Sequence, residues 1–455
     1  MVTCSNEAMG EGILIVVNHA RFCLVPVCLL IVSISSVVVV RLLLIHKIDN
    51  KIEDLTNKGL YVKGVDPIGF VNNSIKASDN ASPELEQLLS KSLRFDDKDQ
   101  DLIHAIRDLS WEKVNWNKIN KTIADNKDAV NKIEGIVLAK NHWLETPSIA
   151  PHLANVIELN RILLFNAVHE AKAGNLEKFN KHINCSYRTA MLASDSGFII
   201  SQMVAVAMIT SCDYIVIRVM KENTGITLSK QNIELISMIR KKELAREAFL
   251  NTLHNDIWMY NYPDKVPSVD TYYKESRWDK IWNWFRTWDN EKYFCLLKLM
   301  EVNEFIIDYS HNHFHEKPFK RDFYIQAWEG TPVWPYYVAQ RWGSVRFSGM
   351  FYKELKSDAF SQIVIVEDAL IKYKHKKGSY PEKLSQLVPD FINADDLEDT
   401  FSGKELVYGK TEKGVIVYNI GDGGLYNDND SQKGIIGGNN SMHLNYAMGV
   451  ELRNN

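Results

Sequence analysis

The chain has 455 residues, of which 45% are hydrophobic and 24% are charged, and its formal net charge is −4. This length allows about two or three compact domains, and the composition excludes wholesale disorder and a polytopic membrane fold. A slightly acidic chain gives no reason to expect nucleic acid as a partner. The six cysteines include no Cys-x-x-Cys pair, which argues against a disulfide framework and against a zinc knuckle.

An apolar run lies near the N-terminus. Residues 22–40 read FCLVPVCLLIVSISSVVVV without a charge, and residues 42–45 extend the run beyond Arg41. The uncharged part would span roughly 28 Å as a helix, close to the hydrocarbon thickness of a bilayer. A cleavable signal peptide is the alternative, but its apolar region is shorter and ends at a small-residue site that is absent here. The sequence therefore predicts a short tail, residues 1–21, and an uncleaved transmembrane anchor, residues 22–45.

The charges that flank this run give a conflicting signal for orientation. Arg21 is the only basic residue before the run, whereas four basic residues follow it: Arg41, Lys47, Lys51 and Lys58. The positive-inside rule would therefore place the C-terminal mass in the cytoplasm, although the rule weakens when a long domain follows.

A second apolar stretch covers residues 198–220. It contains Gln202, Asp213 and Arg218, each of which is costly in lipid. We therefore expect a buried helix of a soluble bundle here.

Residues 46–83 are polar and predict a stalk, and residues 84–350 predict a helical domain. Within that domain an apolar stripe precedes Gly174-Asn175 and a second stripe follows it: Ile157, Leu164, Val168 and Ala171, then Leu176, Phe179, Ile183 and Ala190. This pair resembles one tetratricopeptide-type helical hairpin, but no convincing second copy occurs at that period. We therefore expect an irregular helical array that presents a surface to a protein partner.

Residues 258–342 are dense in aromatic side chains. Trp278, Trp282 and Phe285 share a helical face, which favours a core stripe over a binding groove. Three histidines follow, with Glu316 next to them: His311, His313 and His315. They lack the His-Glu-x-x-His order of a zinc protease, so packed or solvated histidines are favoured. The alternative is a membrane-tethered, metal-dependent hydrolase with a site near residues 254–342.

The pattern changes from residue 357 onward. Ala359, Ile363, Val366, Leu370 and Tyr373 recur at spacings of four and three, which predicts an amphipathic helix packed along one seam, and Gly378 suits its C-cap. A short second helix should follow, with Leu384, Leu387 and Val388 facing inward and Pro389 at its end. Residues 405–410 and 415–420 then predict a β-hairpin, and a glycine- and aspartate-rich loop follows it.

The segments ALIKYKHKKGSYPEKLSQLVPDF, DTFSGKELVYGK and GVIVYNIGDGGLYNDND resemble the globular end of type II secretion major pseudopilins. They are still more similar to the C-terminal module of a group of uncharacterised, membrane-anchored bacterial proteins. The matching positions are Gly378, Tyr380, Pro381, Leu384, Leu387, Phe401, Gly403, Leu406, Tyr408, Tyr418, Gly421 and Gly423. Thr400 stands where proline is usual, Asn419 where serine is usual, and Asp422 directly follows Gly421.

The resemblance implies a small α+β module, residues 351–455, on the outer side of the cytoplasmic membrane. This implied address outweighs the lysine count. In the pseudopilins the loop after the last strand binds calcium, which here implies Asp422, Asp428 and Asp430 as ligands. A plain solvated turn is the alternative. Assembly into a filament is not expected, because the anchor lies far upstream of the module and no pilin processing site precedes Phe22.

No catalytic motif accompanies these features. The sequence contains no Gly-x-Ser-x-Gly elbow, P-loop or Gly-x-Gly-x-x-Gly fingerprint. The paired acids Asp395 and Asp396 are adjacent, so their side chains need not converge as an acid and a base. We therefore predict a mainly α protein with a transmembrane helix, an irregular helical domain and a pseudopilin-like module. Its expected role is structural or protein-binding rather than enzymatic, in a secretion or envelope assembly.

Overall fold

The structure is a computed structural model. It describes residues 35–36, 38–61, 111–140, 152–194, 199–223, 225–261, 335–412, 414–419 and 448–453, with separate residues at 81–88 and 296–304. These residues are mainly α-helical with a small antiparallel sheet, as the sequence predicts. They form two compact units. The first unit combines Met1–Gly64 with Leu253–Glu304, and the second combines Val65–Thr252 with Phe305–Asn455.

The first unit is built on helix α1, residues 38–57. Ile48, Ile52 and Leu55 are buried at spacings of four and three, so they form one apolar stripe. After the helix, Tyr61 is 1% exposed, and its ring lies 5.0 Å from that of His254. His254 therefore packs against the segment that follows the predicted anchor.

This packing differs from the predicted stalk over residues 46–83. Residues 48–61 carry a buried face, because their few apolar side chains recur at helical spacing among many charged ones. Two of those charges, Lys51 and Lys58, both pair with the nearly buried Glu304. Residues 62–80 lie outside the described part of the chain.

The second unit contains most of the described helices. They are α2 (Trp116–Ala139), α3 (His152–Lys172), α4 (Leu176–Ser194), α5 (Ile199–Glu222) and α6 (Lys230–Lys241), followed by α7 (Leu244–Asn261), which passes from the second unit into the first. Helices α3 and α4 pack on each other around a turn in which Gly174 has φ of +73°. The predicted helix end at this glycine is confirmed, since a left-handed residue closes α3.

Helix α5 is the second apolar stretch of the sequence. Within the described residues, Ile200–Glu222 is the one helix long and apolar enough to cross a membrane, with a mean hydropathy of 1.7 and 61% of that window buried. It packs against α3, α4 and α8, and its own residue Asp213 is completely buried. These contacts are those of a core helix, in agreement with the sequence analysis.

Helix α8 (Pro335–Lys377) is the longest described helix and crosses the predicted domain boundary at residue 350. Every residue from 357 to 371 is buried, because α5 and α6 cover one side of the helix while β2 and β3 cover another. The prediction that this helix packs along a single seam is therefore wrong, because residues 357–371 are buried on every side of the helix. Polar side chains such as Gln362 lie inside because they find hydrogen-bond partners, here the carbonyls of Asp396 and Glu398.

The chain then forms two 3₁₀ turns, Leu384–Leu387 and Ala394–Leu397, and a sheet of β1 (Val407–Thr411), β2 (Gly414–Asn419) and β3 (Met448–Arg453). The order is β1-β2-β3, and both pairings are antiparallel. The predicted hairpin is confirmed, with Tyr408 opposite Val417. Leu384 and Leu387 face inward as predicted. The amide of Asn419 donates to the Ala359 carbonyl at 3.2 Å, which ties the sheet to α8.

Candidate functional site

A buried ion cluster forms where α6, α8 and the turn Ala394–Leu397 meet. Arg240, in the last turn of α6, donates from Nε to Asp358 Oδ1 at 2.8 Å and from Nη1 to Asp396 Oδ1 at 2.6 Å. Thr400 Oγ1 donates to the second oxygen of Asp358 at 2.7 Å. All three charged side chains are at most 13% exposed. Both carboxylates are therefore matched by one guanidinium fork away from water, which is the geometry that arginine favours.

Asp213 of α5 contributes a further carboxyl group, which is fully enclosed. Tyr187 Oη of α4 donates to Oδ1 at 2.5 Å, and Ser361 Oγ of α8 donates to Oδ2 at 2.7 Å. Burial raises the pKa of Asp213 from its ordinary value to about 7, although the two hydroxyl donors oppose the shift. This carboxyl group therefore exchanges its proton near neutral pH.

A cleft of about 20 Å³ opens beside this cluster, with Arg240, Ser357 and Asp358 in its wall. Ser357 is 4% exposed, and its hydroxyl has no hydrogen-bond partner among the described residues. A space of this size holds one water molecule and is far smaller than a pocket for an organic substrate. The geometry thus provides a polar joint between α6 and α8 with room for about one water molecule.

Two adjacent acids of α8 have opposite surroundings. Asp368 accepts the Leu228 N–H at 2.7 Å and pairs with Lys372 at 2.6 Å. Glu367 is 0% exposed, and neither of its carboxyl oxygens has a hydrogen-bond partner among the described residues. Burial therefore raises the pKa of Glu367 well above its usual range.

The second unit also holds two free, buried cysteines, Cys185 and Cys212. Burial raises the pKa of each thiol to about 12. Cys212 Sγ lies 3.0 Å from Ser186 Oγ, within a polar contact between α4 and α5. Because the thiolate is the reactive form, these two side chains are structural rather than nucleophilic.

The calcium ligands expected from the resemblance, Asp422, Asp428 and Asp430, lie outside the described residues. The same holds for His311, His313, His315 and Glu316, the centre of the hydrolase alternative, and for the tryptophan stripe. Within the described ranges no group of three or more His, Cys, Asp or Glu side chains is arranged to hold a metal ion.

Of the region assigned to the hydrolase alternative, the described His254 packs against Tyr61, and burial lowers its pKa. The adjacent acids behave as the sequence predicts, because Asp396 points inward to Arg240 while Asp395 is exposed. Neither His254 nor the adjacent acids form a catalytic acid–base pair among the described residues.

The ion cluster itself was not predicted, since its members are separated by up to 156 positions. The available signal was the placement of polar residues inside apolar stretches. Asp213 interrupts α5, and Asp358 and Glu367 interrupt the apolar spacing of α8. An acid at such a place indicates a buried partner but does not identify it.

No protein-family model, curated protein or solved structure matches the chain. The pseudopilin-like nature of residues 351–455 therefore stays a prediction.

Proposed function

We propose that this is a single-pass protein of the bacterial cytoplasmic membrane whose soluble mass lies on the extracytoplasmic side. Its role is non-enzymatic, namely structural or protein-binding, within a secretion or envelope assembly. The observation that carries this proposal is the change of environment along α1, from exposed apolar side chains to a buried stripe.

At the start of α1, five apolar side chains are between 40% and 61% exposed: Val38, Val39, Val40, Leu42 and Leu43. They cover roughly half of the helix circumference, while Arg41, Leu44 and Ile45 on the remaining side are half-buried. From Ile48 onward the same helix buries its apolar residues within the first unit. A broad, uncovered apolar surface is suited to lipid, whereas its continuation is suited to protein contacts. This pattern supports an anchor that ends near residue 45.

The extracytoplasmic address is supported by the resemblance of residues 351–455 to the pseudopilins, and the basic residues after the anchor oppose it. The interaction role is supported by the way the second unit uses its charges. Arg240, Asp358 and Asp396 satisfy one another across elements, so they stiffen the body rather than serve a substrate. A rigid helical body beside a membrane is suited to presenting a surface to a partner.

The proposal predicts that the full chain stays with membranes after extraction with alkaline carbonate. A variant lacking residues 22–45 should appear in the soluble fraction, because it has lost the segment that lipid would cover. A periplasm-dependent reporter, alkaline phosphatase, fused after residue 455 should be active. The same fusion made with a cytoplasm-dependent fluorescent protein should be dark.

Release of the full chain from membranes by alkaline carbonate would contradict the anchor. An inactive phosphatase fusion with a fluorescent counterpart would retain the anchor but reverse the orientation. Deletion of residues 1–21 provides the matched control, since it removes a segment of comparable length and leaves the apolar run intact.

We further propose that the loop after β2 binds calcium through Asp422, Asp428 and Asp430. The melting temperature of the full chain in detergent should then rise with free calcium, because a ligand that binds the native state stabilises it. Asp428→Ala should abolish the rise, whereas Asp395→Ala, at an exposed acid outside the loop, should preserve it. No rise at millimolar calcium would leave the loop as an ordinary turn.

A further inference from the structure

Two enclosed carboxyl groups lie along the contact between α5 and α8. Asp213 of α5 meets Ser361 of α8, and Lys221 of α5 is the cation whose charge acts on Glu367 of α8. Lys221 follows Asp213 along α5, and Glu367 follows Ser361 along α8, so the two pairs are arranged in the same chain direction. The six positions from Ser361 to Glu367 correspond to about 9 Å along a helix. Asp213 thus bonds α8 at one level of this contact, and Glu367 lies further along α8 within electrostatic reach of Lys221.

The surroundings of Asp213 offer it little charge compensation. Tyr187 of α4 and Ser361 of α8 supply neutral hydroxyl donors. Asp358 of α8 opposes its ionisation, whereas Arg240 of α6 favours it but is already bonded to Asp358 and Asp396. Helix α3 brings the uncharged Asn160 next to the neighbouring Cys212, and β3 buries the apolar Leu452.

Glu367 is still less compensated. Lys221 favours its charged form, but no donor reaches either carboxyl oxygen among the described residues. Asp368 adds a like charge, and the phenol of Tyr380, just beyond the end of α8, lies within electrostatic reach of Glu367. The part of α6 that packs on α8 carries Arg240, which is engaged with other acids. An ionised carboxylate in such a place is strongly destabilising unless it is paired.

We propose that the α5–α8 contact is a proton-dependent latch, which holds α8 and its sheet against the helical part only while Asp213 and Glu367 keep their protons. Loss of these protons places uncompensated charge at two levels of one interface. The interface then relieves that charge by opening to water. The latch concerns contacts within the second unit, so it does not depend on the anchor or its orientation.

The direction of the pH effect follows from proton linkage. Each acid binds its proton more tightly in the closed state than in the open one. Closure is therefore fully favoured below pH 4, the ordinary range of an exposed carboxyl group. It weakens as the pH rises, by about tenfold in the opening equilibrium per pH unit for each such group. For Asp213 this dependence ends near pH 7, and for Glu367 it extends well above the ordinary range of a carboxyl group.

Hydrogen exchange read by mass spectrometry tests the latch on the full chain in detergent, between pH 5 and 9, after correction for the intrinsic exchange rate. Where both groups contribute, peptides from residues 357–371 should lose protection by up to about a hundredfold per pH unit, while peptides from α3 and α4 keep theirs. Glu367→Gln and Asp213→Asn should each reduce this dependence to about tenfold per pH unit. Glu405→Gln, at an exposed acid, is the matched control and should behave as the unmodified chain.

Protection of residues 357–371 that does not change with pH would overturn the proposal, and this result needs only the unmodified chain. An equal loss of protection in α3 and α4 would also overturn it, because the whole unit would then be unfolding. Retention of the full pH dependence in Glu367→Gln would exclude Glu367 as a proton carrier.

Discussion

Replacement of Arg240 with methionine should lower the free energy of unfolding of the second unit by roughly 3–5 kcal/mol. The guanidinium group bonds Asp358 and Asp396, and both acids are nearly buried. Methionine fills much of the same volume but leaves two carboxylates without their cation. The loss of stability arises mainly from these unpaired, buried carboxylates rather than from the lost attraction itself. Chemical denaturation followed by tryptophan fluorescence measures the change as a lower midpoint with an unchanged slope.

Arg246→Met is the matched control for this prediction. Arg246 also faces an acid, Glu243, at 3.5 Å, but its side chain is 41% exposed. Its replacement should change stability by about 0.5 kcal/mol or less, as is usual for solvated ion pairs. Arg240→Lys should lie between the two, because an ammonium keeps the charge but cannot form both sides of the fork. An equal effect of Arg240→Met and Arg246→Met would show that the cluster is solvated, contrary to its burial.

Residues 351–455 produced alone should fail to fold cooperatively. Residues 357–371 are buried on every side of α8, and α5 and α6 supply part of that cover. Without those helices the fragment would expose apolar residues together with Asp358, whose arginine partner is missing. A domain of this size is only marginally stable, so loss of the packing contacts on one side of its central helix should unfold it. Circular dichroism and calorimetry should show no cooperative transition.

A chain of residues 46–455 serves as the control for the fragment. Among the described residues the first buried apolar side chain is Ile48, so this chain keeps the described core of both units while it lacks the proposed anchor. It should melt cooperatively. A fragment 351–455 that melts with a sharp transition would show that the sheet covers α8 sufficiently by itself, and that the predicted boundary at residue 350 is a true domain boundary.

Several local features could be read from the sequence because a short segment determines them. Glycine can adopt positive φ without a steric penalty, so Gly174 and Gly378 mark the ends of helices. Alternating apolar residues around a turn specify the hairpin of β1 and β2, and apolar spacing specifies the helices. The interior position of the apolar stretch around Asp213 also followed from its polar residues, since lipid would not accommodate them.

The partnerships between distant elements could not be read in this way. One sequence shows that Asp358 and Glu367 interrupt an apolar helix, but it does not show that Arg240 reaches the first while no donor reaches the second. The same holds for the burial of residues 357–371 on all sides of α8. It also holds for the pairing of Lys51 and Lys58 with Glu304 and for the packing of His254 on Tyr61.

The sequence by itself thus determined the types of the elements and the positions of several ends, because backbone sterics and apolar periodicity act over a few residues. The tertiary structure alone decided which charges are matched and where the compact units divide. Those outcomes depend on the dielectric surroundings and on contacts between residues far apart in the chain, and neither is encoded in any local window.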